Sequence, residues 1–240
     1  MKNKDFIKLS IIVPCFNEKK TLISIIDRVL LSLSNNNFKS YEILIVDDGS
    51  TDGTTEMVKE IFSTKNNFKT FFHHKNLGKG AAIKTAKNFL SGDIIIIQDA
   101  DLEYDPDDYN KLLKPIIDGN FKVVYGSRVL NRERYKISGF NSKVRIFGNH
   151  FLTIISNFFN KQNLTDAHTC YKVFHKELFD LITLEENDFA FCPEVTSKIS
   201  NLGFKIHEVP ISYNGRSYKE GKKIKTTDAL KALKTLIKYR

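Results

Sequence analysis

The amino-acid sequence predicts an α/β protein with a central, mostly parallel sheet flanked by helices. Short β-branched runs alternate with stretches of helical periodicity between residues 10 and 125. One run, Ile94-Ile95-Ile96-Ile97, shows no polar alternation, as expected of a strand covered on both faces. The chain has 240 residues, 41% hydrophobic and 27% charged, enough for one well-packed domain and too apolar for a disordered chain.

The elements follow in order. Ser10–Val13, Glu42–Val46, Lys69–Phe72, Asp93–Ile97 and Lys122–Tyr125 read as strands, and Thr21–Ser34, Thr54–Phe62 and Gly80–Leu90 as the helices between them. Gly92 stands where a helix stop belongs. Asp105-Pro106-Asp107-Asp108 combines a capping acid, a proline for the first turn and acids for the positive dipole end, so it opens the next helix. Ser142–Asn160 carries Val144, Phe147, Phe151, Ile154, Ile155 and Phe158 at helical spacing. Pro193 and Gly203 bracket a further helix. Thr226–Tyr239 closes the chain as a helix, with Leu230, Leu233 and Ile237 on one side and Lys231, Lys234 and Lys238 on another. We divide the chain into a main domain, 1–214, and a basic C-terminal extension, 215–240.

Formal charge is +9, from 37 Lys and Arg against 28 Asp and Glu. Most of the excess lies in residues 215–240, which hold nine bases and two acids. Such a tail suits nucleic acid, an anionic membrane or a phosphorylated ligand. Three scattered cysteines exclude a disulfide framework and imply a reducing compartment. No run of about 18 apolar residues is present to span a bilayer. The apolar run Ile11–Phe16 stops at Asn17-Glu18 and makes a poor signal peptide, so a cytoplasmic protein is expected.

The richest chemistry is Gln98-Asp99-Ala100-Asp101-Leu102-Glu103, where a buried strand ends in two carboxylates at i and i+2. Both can project beyond the carboxyl edge, where open α/β sheets bind ligands. Neighbouring carboxylates repel unless a cation or proton lies between them, and Mg2+ takes one or two carboxylates plus substrate phosphates. A solvated acidic loop capping the next helix is the plainer alternative. Val46-Asp47-Asp48-Gly49-Ser50-Thr51-Asp52-Gly53-Thr54 repeats the arrangement after the second strand, and a turn with a helix cap explains it equally well. Asn76-Leu77-Gly78-Lys79-Gly80 offers glycines and a lysine before a helix, suited to an approaching nucleotide or to a simple helix start. His73 and His74 lack a third ligand at zinc spacing, and Cys170 and Cys192 read as small core residues.

Together with Ser10-Ile11-Ile12-Val13-Pro14-Cys15-Phe16-Asn17-Glu18 and Gly126-Ser127-Arg128, these segments in this order resemble glycosyltransferase family 2, of the GT-A fold. Arg216-Ser217-Tyr218-Lys219-Glu220-Gly221-Lys222 resembles the tail of the dolichyl- or polyprenyl-phosphate sugar synthases within it. The resemblance implies an inverting, metal-dependent transferase that moves a sugar from a UDP- or GDP-linked donor to a polyprenyl phosphate. In the implied roles Pro14, Phe16 and Glu18 line the nucleoside pocket, and Val46 and Asp48 contact base and ribose. Asp99, Ala100 and Asp101 form the Asp-x-Asp segment that binds Mg2+ or Mn2+ on the diphosphate, with Glu103 a further metal candidate. Arg128, Arg216 and Lys222 surround the phosphates, and the C-terminal extension completes the donor site with a loop that orders on ligand.

A hydroxyl acceptor needs a general base, for which Asp166 and Glu194 are the candidates; an anionic phosphate acceptor needs none. Cys192-Pro193-Glu194 lacks the paired Glu-Asp of many polysaccharide-making relatives, which favours the phosphate. Two alternatives stay open: a family member acting on a saccharide, protein or other hydroxyl acceptor, and a non-catalytic nucleotide-sugar-binding protein. In this context residues 142–160 are expected to lie in a membrane interface, with Phe147, Phe151, Phe158 and Phe159 inserted. Contact with the anionic membrane is then peripheral, or made through a membrane-protein partner or a homodimer, and no nucleic acid is expected.

Overall fold

The computed structural model describes residues 7–130, 140–215 and 226–240, with side chains described over 7–130, 148–215 and 229–240. Arg216 and Lys222 lie outside these residues, as does the side chain of Phe147. Seven strands form one sheet: β1 (Leu9–Cys15), β2 (Tyr41–Asp47), β3 (Phe68–Phe72), β4 (Ile94–Ile97), β5 (Val123–Ser127), β6 (Lys172–His175) and β7 (His207–Pro210), in the order β3-β2-β1-β4-β6-β5-β7. Of these, β6 alone runs against its neighbours; the remaining pairings are parallel.

Alternation within the strands divides the core in two. Ile11, Val13, Ile43, Ile45, Ile94 and Ile96 face α1 (Leu22–Asn35), α2 (Thr54–Ile61) and, after a 3-10 turn at Pro106–Asp108, α4 (Tyr109–Ile117). Ile12, Leu44, Val46, Ile95 and Ile97 face α3 (Lys79–Lys87), α6 (Lys176–Leu181) and α7 (Phe191–Asn201). The isoleucine run of β4 is therefore covered on both faces, as its lack of alternation predicts. Outside this layer α5 (Phe140–Asn160) and α8 (Thr226–Lys238) pack on α7 and on each other. No helix among the described residues is long and apolar enough to cross a membrane.

One expectation changes. Gly92 is not a helix stop, because α3 ends at Lys87; a Cβ there would lie 2.6 Å from Ser10 Oγ, so the glycine permits close approach to β1. Among the described side chains of α5, Leu152, Thr153, Ser156 and Asn160 are buried, while Phe151 and Phe158, expected at an interface, and Ile154 are exposed, Phe158 by 80%. On α8 the buried residues are Ala232, Thr235 and Leu236, with Leu230 and Ile237 outside. Periodicity finds an apolar stripe and cannot say whether the protein itself covers it.

At the opposite edge from the acidic turn, Glu42 is buried and accepts from Ser10 Oγ (2.6 Å), Ser91 N (2.6 Å) and Lys69 Nζ (2.8 Å). Burial works to raise its pKa, but Lys69, Ser10 and Ser91 outweigh it and bring the group from 4.5 to about 2. A carboxylate with a depressed folded-state pKa contributes stability above its unfolded value and loses it as pH falls through the folded one. Glu42→Gln is accordingly expected to unfold at a lower temperature than the unsubstituted chain at pH 7. The gap should shrink between pH 4.5 and 2; a gap independent of pH in thermal denaturation would contradict this.

Candidate active site

Parallel strands β1, β2, β4 and β5 all end at one edge of the sheet, and β6, running the other way, begins there. The chain turns from β1 outward to β2 and β3, then returns to place β4 on the other side of β1. This switch point opens a crevice at the carboxyl edge, and ligands of open α/β sheets bind in such crevices.

On the β1–β2 side, two loops fasten each other. Asn17 adopts a left-handed φ of 54°, its N–H donates to Ser50 Oγ (2.8 Å), and its Oδ1 accepts from Thr51 N (2.7 Å). Pro14 and Phe16 are half-buried and Glu18 is buried, with Glu18 N donating to Thr54 Oγ1 (3.1 Å). Asp47 accepts from Ser50 and Thr55. Asp48 accepts from Leu77 N (2.9 Å) and Gly78 N (2.7 Å) and pairs with His73 Nδ1 at 2.7 Å. Both Asp48 oxygens thus hold the loop after β3, and His73, bonded onward to Thr85 (2.9 Å), is an organiser of the crevice. Sequence reasoning missed it by searching histidines only for metal spacing. Val46 is wholly buried against α3, so its side chain packs beneath the crevice.

The glycines before α3 serve the protein's own chain. A Cβ on Gly78, where φ is +103°, would lie 2.3 Å from Asn187 O, and one on Gly80 would lie 2.4 Å from Glu186 O. Asn187 O also accepts from Ala81 N at 2.9 Å. This close approach delivers Lys79 to Asp99, with which it forms a largely buried ion pair. Burial pushes the Asp99 carboxyl up to about 7. It also opposes the Lys79 ammonium, but Asp99 outweighs it and Lys79 stays protonated. Lys79 was legible only as a residue of a glycine-rich loop; its partner lies 20 residues away.

After Asp99, Ala100 is buried, and the chain turns through Leu102 at φ 63° while Asp101 Oδ1 accepts from Glu103 N (3.1 Å). Tyr213 OH donates to Glu103 Oε2 at 2.6 Å. Two hard carboxylates, one of them buried and already facing an ammonium, are a donor set that fits Mg2+ or Mn2+. Among the described residues no group of three or more His, Cys, Asp or Glu stands ready to enclose a metal ion.

Across the crevice, Arg128 and Asp166 form a bidentate pair: Nε to Oδ2 at 2.6 Å and Nη2 to Oδ1 at 2.8 Å, with Arg128 N also donating to Oδ2 (3.1 Å). The Arg128 guanidinium lies 5.2 Å from the ring centre of Tyr213. Burial acts to raise the Asp166 pKa, but Arg128 outweighs it and holds the carboxyl below its usual range. Glu208 accepts from Thr165 N (2.6 Å) and Asp166 N (2.9 Å), and buried Lys172 donates to Ala167 O (3.1 Å), so the whole segment is braced from below. Glu194 is fully buried, and its oxygens accept from Glu185 N (2.6 Å), Glu186 N (3.0 Å) and Lys198 Nζ (2.8 Å). Its carboxylate clasps the loop that carries Asn187.

The fold is that of the GT-A glycosyltransferases. Glucosyl-3-phosphoglycerate synthase from Mycobacterium tuberculosis, crystallised with Mn2+, uridine diphosphate and phosphoglyceric acid, superposes with a TM-score of 0.71 at 17% identity, covering 98% of this chain and 79% of that one. The chain belongs to glycosyl transferase family 2, whose model matches residues 10–183, and it is a glycosyltransferase. Among its relatives, a dolichyl-phosphate beta-glucosyltransferase of Trichomonas vaginalis is 31% identical over 240 residues, covering 96% of this chain and 72% of the relative. A UDP-N-acetylglucosamine–dolichyl-phosphate N-acetylglucosaminyltransferase of Methanococcus voltae is 30% identical over 218 residues, covering 84% and 83%.

Removing one partner of a buried ion pair strands the other charge and costs about 3–5 kcal/mol. Asp166→Ala should lower unfolding stability in urea by about that amount, whereas an unchanged midpoint would show that Arg128 does not depend on it.

Proposed function

We propose that the chain transfers a sugar, with inversion at the anomeric carbon, from a UDP- or GDP-linked donor to a polyprenyl or dolichyl phosphate at the cytoplasmic face of a membrane. The observation that carries this reading is the state of the two candidate bases. Asp166 is consumed by Arg128, and Glu194 is buried under two backbone amides and Lys198. An acceptor hydroxyl would need one of them to take its proton; an acceptor phosphate is already anionic near neutral pH. The relatives named for dolichyl-phosphate transfer support the same acceptor.

Asp99 and Asp101, with Glu103 nearby, would hold a Mg2+ or Mn2+ ion, which supplies positive charge to the departing diphosphate. The chain's own residues do the rest. Pro14, Phe16 and Glu18 border the nucleoside side of the crevice, and the Asp48-anchored loop keeps Lys79 at its floor. Asp166 grips Arg128 by one edge, so the guanidinium is oriented before any phosphate arrives and loses little freedom on meeting it. Arg216 and Lys222 add cationic charge from the C-terminal extension.

Membrane contact is proposed through α5. Its outward stripe, Phe151, Ile154 and Phe158, is apolar, and no Asp or Glu occurs between Glu133 and Asp166. An apolar face on an acid-free, basic segment suits the interface of an anionic leaflet.

Two measurements test this function. With UDP- and GDP-sugars, Mn2+ and a short polyprenyl phosphate, the chain should form a sugar-phosphate lipid, and Asp101→Ala should reduce its formation by about 10²-fold or more, the scale of a lost electrostatic contact. Transfer to a saccharide or peptide hydroxyl, with none to the lipid phosphate, would refute the acceptor assignment. Phe158→Asp should lose sedimentation with phosphatidylglycerol vesicles while keeping its thermal midpoint; equal sedimentation would remove α5 from the membrane contact.

A further inference from the structure

Gln98, the residue after β4, is completely buried, and a buried amide destabilises a protein unless its polar atoms are paired. Its Nε2 donates to the main-chain oxygen of Asp99 at 3.0 Å. A carbonyl oxygen only accepts, so the amide NH2 must lie on that side and Oε1 on the other. There Oε1 accepts from two phenols, Tyr171 OH at 2.6 Å and Tyr109 OH at 2.9 Å. One carboxamide thereby joins three segments: the end of β4, the start of α4, and the stretch leading from Asp166 into β6.

The connection continues to the cationic side of the crevice. Tyr171 O accepts from Gly126 N at 2.9 Å, two residues before Arg128. A Cβ on Gly126 would lie 3.1 Å from Tyr171 Cβ and 2.8 Å from Ile211 Cγ2, so this approach leaves no slack. The ring of Tyr104 packs on Tyr171 and on Tyr213, with centroids 4.8 and 5.1 Å apart. On the other flank, Gln98 N donates to Ile12 O of β1 at 2.9 Å, after which the chain leaves the ladder and enters the acidic turn.

We propose that Gln98 is a positioning residue for the carboxylate pair: its amide, locked by Tyr109 and Tyr171, sets the Asp99 main chain and its spacing from Arg128–Asp166. The inference rests on the reading of Asp99 and Asp101 as ligands of a divalent cation. A peptide released from this lock can rotate, and a displacement near 1 Å at a catalytic group can cost about 10²-fold in rate.

The test uses the full chain with Gln98→Met, which keeps length and burial and deletes all three hydrogen bonds. Mn2+ affinity is read by electron paramagnetic resonance with UDP or GDP present, well below the unfolding temperature, beside the thermal midpoint and kcat and KM. The expected result is an Mn2+ dissociation constant raised about tenfold or more, a smaller rise for Tyr171→Phe, and no further rise when the two are combined, since they share one network. Should Gln98→Met fail to fold, Tyr109→Phe with Tyr171→Phe preserves ring volume and carries the same expectation. Mn2+ affinity equal to that of the unsubstituted chain, with only the midpoint lowered, would reduce Gln98 to core packing and overturn the proposal. If the unsubstituted chain binds no Mn2+ with either nucleotide, the metal reading falls and this inference with it, a result distinct from equal binding by both proteins.

Discussion

Charge at the end of a buried strand is the constraint on which the rest of this structure depends. β4 is covered on both faces, so Asp99 emerges from a fully buried strand, and burial, only partly offset by Lys79, raises its carboxyl to about 7. A carboxylate there needs a cation beside it. The chain meets that demand internally with Lys79, at the cost of bringing the α3 loop against Glu186 and Asn187 so closely that only glycine fits at positions 78 and 80. Much of the surrounding architecture answers the same demand: Asp48 and His73 hold that loop from one side, and Glu194 holds its covering segment from the other.

The cationic side follows a parallel logic. Under the proposed function Arg128 meets a phosphate, and Asp166 already holds it bidentately. That use changes what Asp166 is chemically. A carboxylate whose pKa is lowered by a guanidinium is a weak base, so a residue that the sequence offers as a proton acceptor becomes an anchor. The consequence reaches the acceptor, since chemistry at this crevice is easiest for a nucleophile that arrives without a proton to lose.

Helix α5 inverts the usual arrangement. Thr153, Ser156 and Asn160 face inward while Phe151, Ile154 and Phe158 face out. Thr153 remains satisfied inside by donating to Asn149 O (2.8 Å) and accepting from Ala167 N (3.3 Å). Asn160 Nδ2 donates to Ser156 Oγ (3.1 Å) while its buried Oδ1 has no partner among the described residues, and the outer face leaves phenylalanine uncovered.

The sequence by itself determined the α/β alternation, the double-sided burial of Ile94–Ile97, the capped turn at Asp105 and the acidic pair at the strand end. Each is a local matter of side-chain periodicity, backbone preference or charges a few residues apart. Strand boundaries moved by one or two residues only, because hydrophobic runs and turn residues mark them directly. The sense of β6, the polar inner face of α5 and the true purpose of Gly92 were decided by tertiary structure alone, since each depends on what lies against the segment and not on the segment. The same holds at the crevice. Asp99 and Arg128 are legible as motif residues, but Lys79, His73 and Gln98 acquire their roles from partners 20, 25 and up to 73 residues distant. Hydrogen bonds and ion pairs act over a few ångströms of space, and only the folded chain brings such residues within that distance.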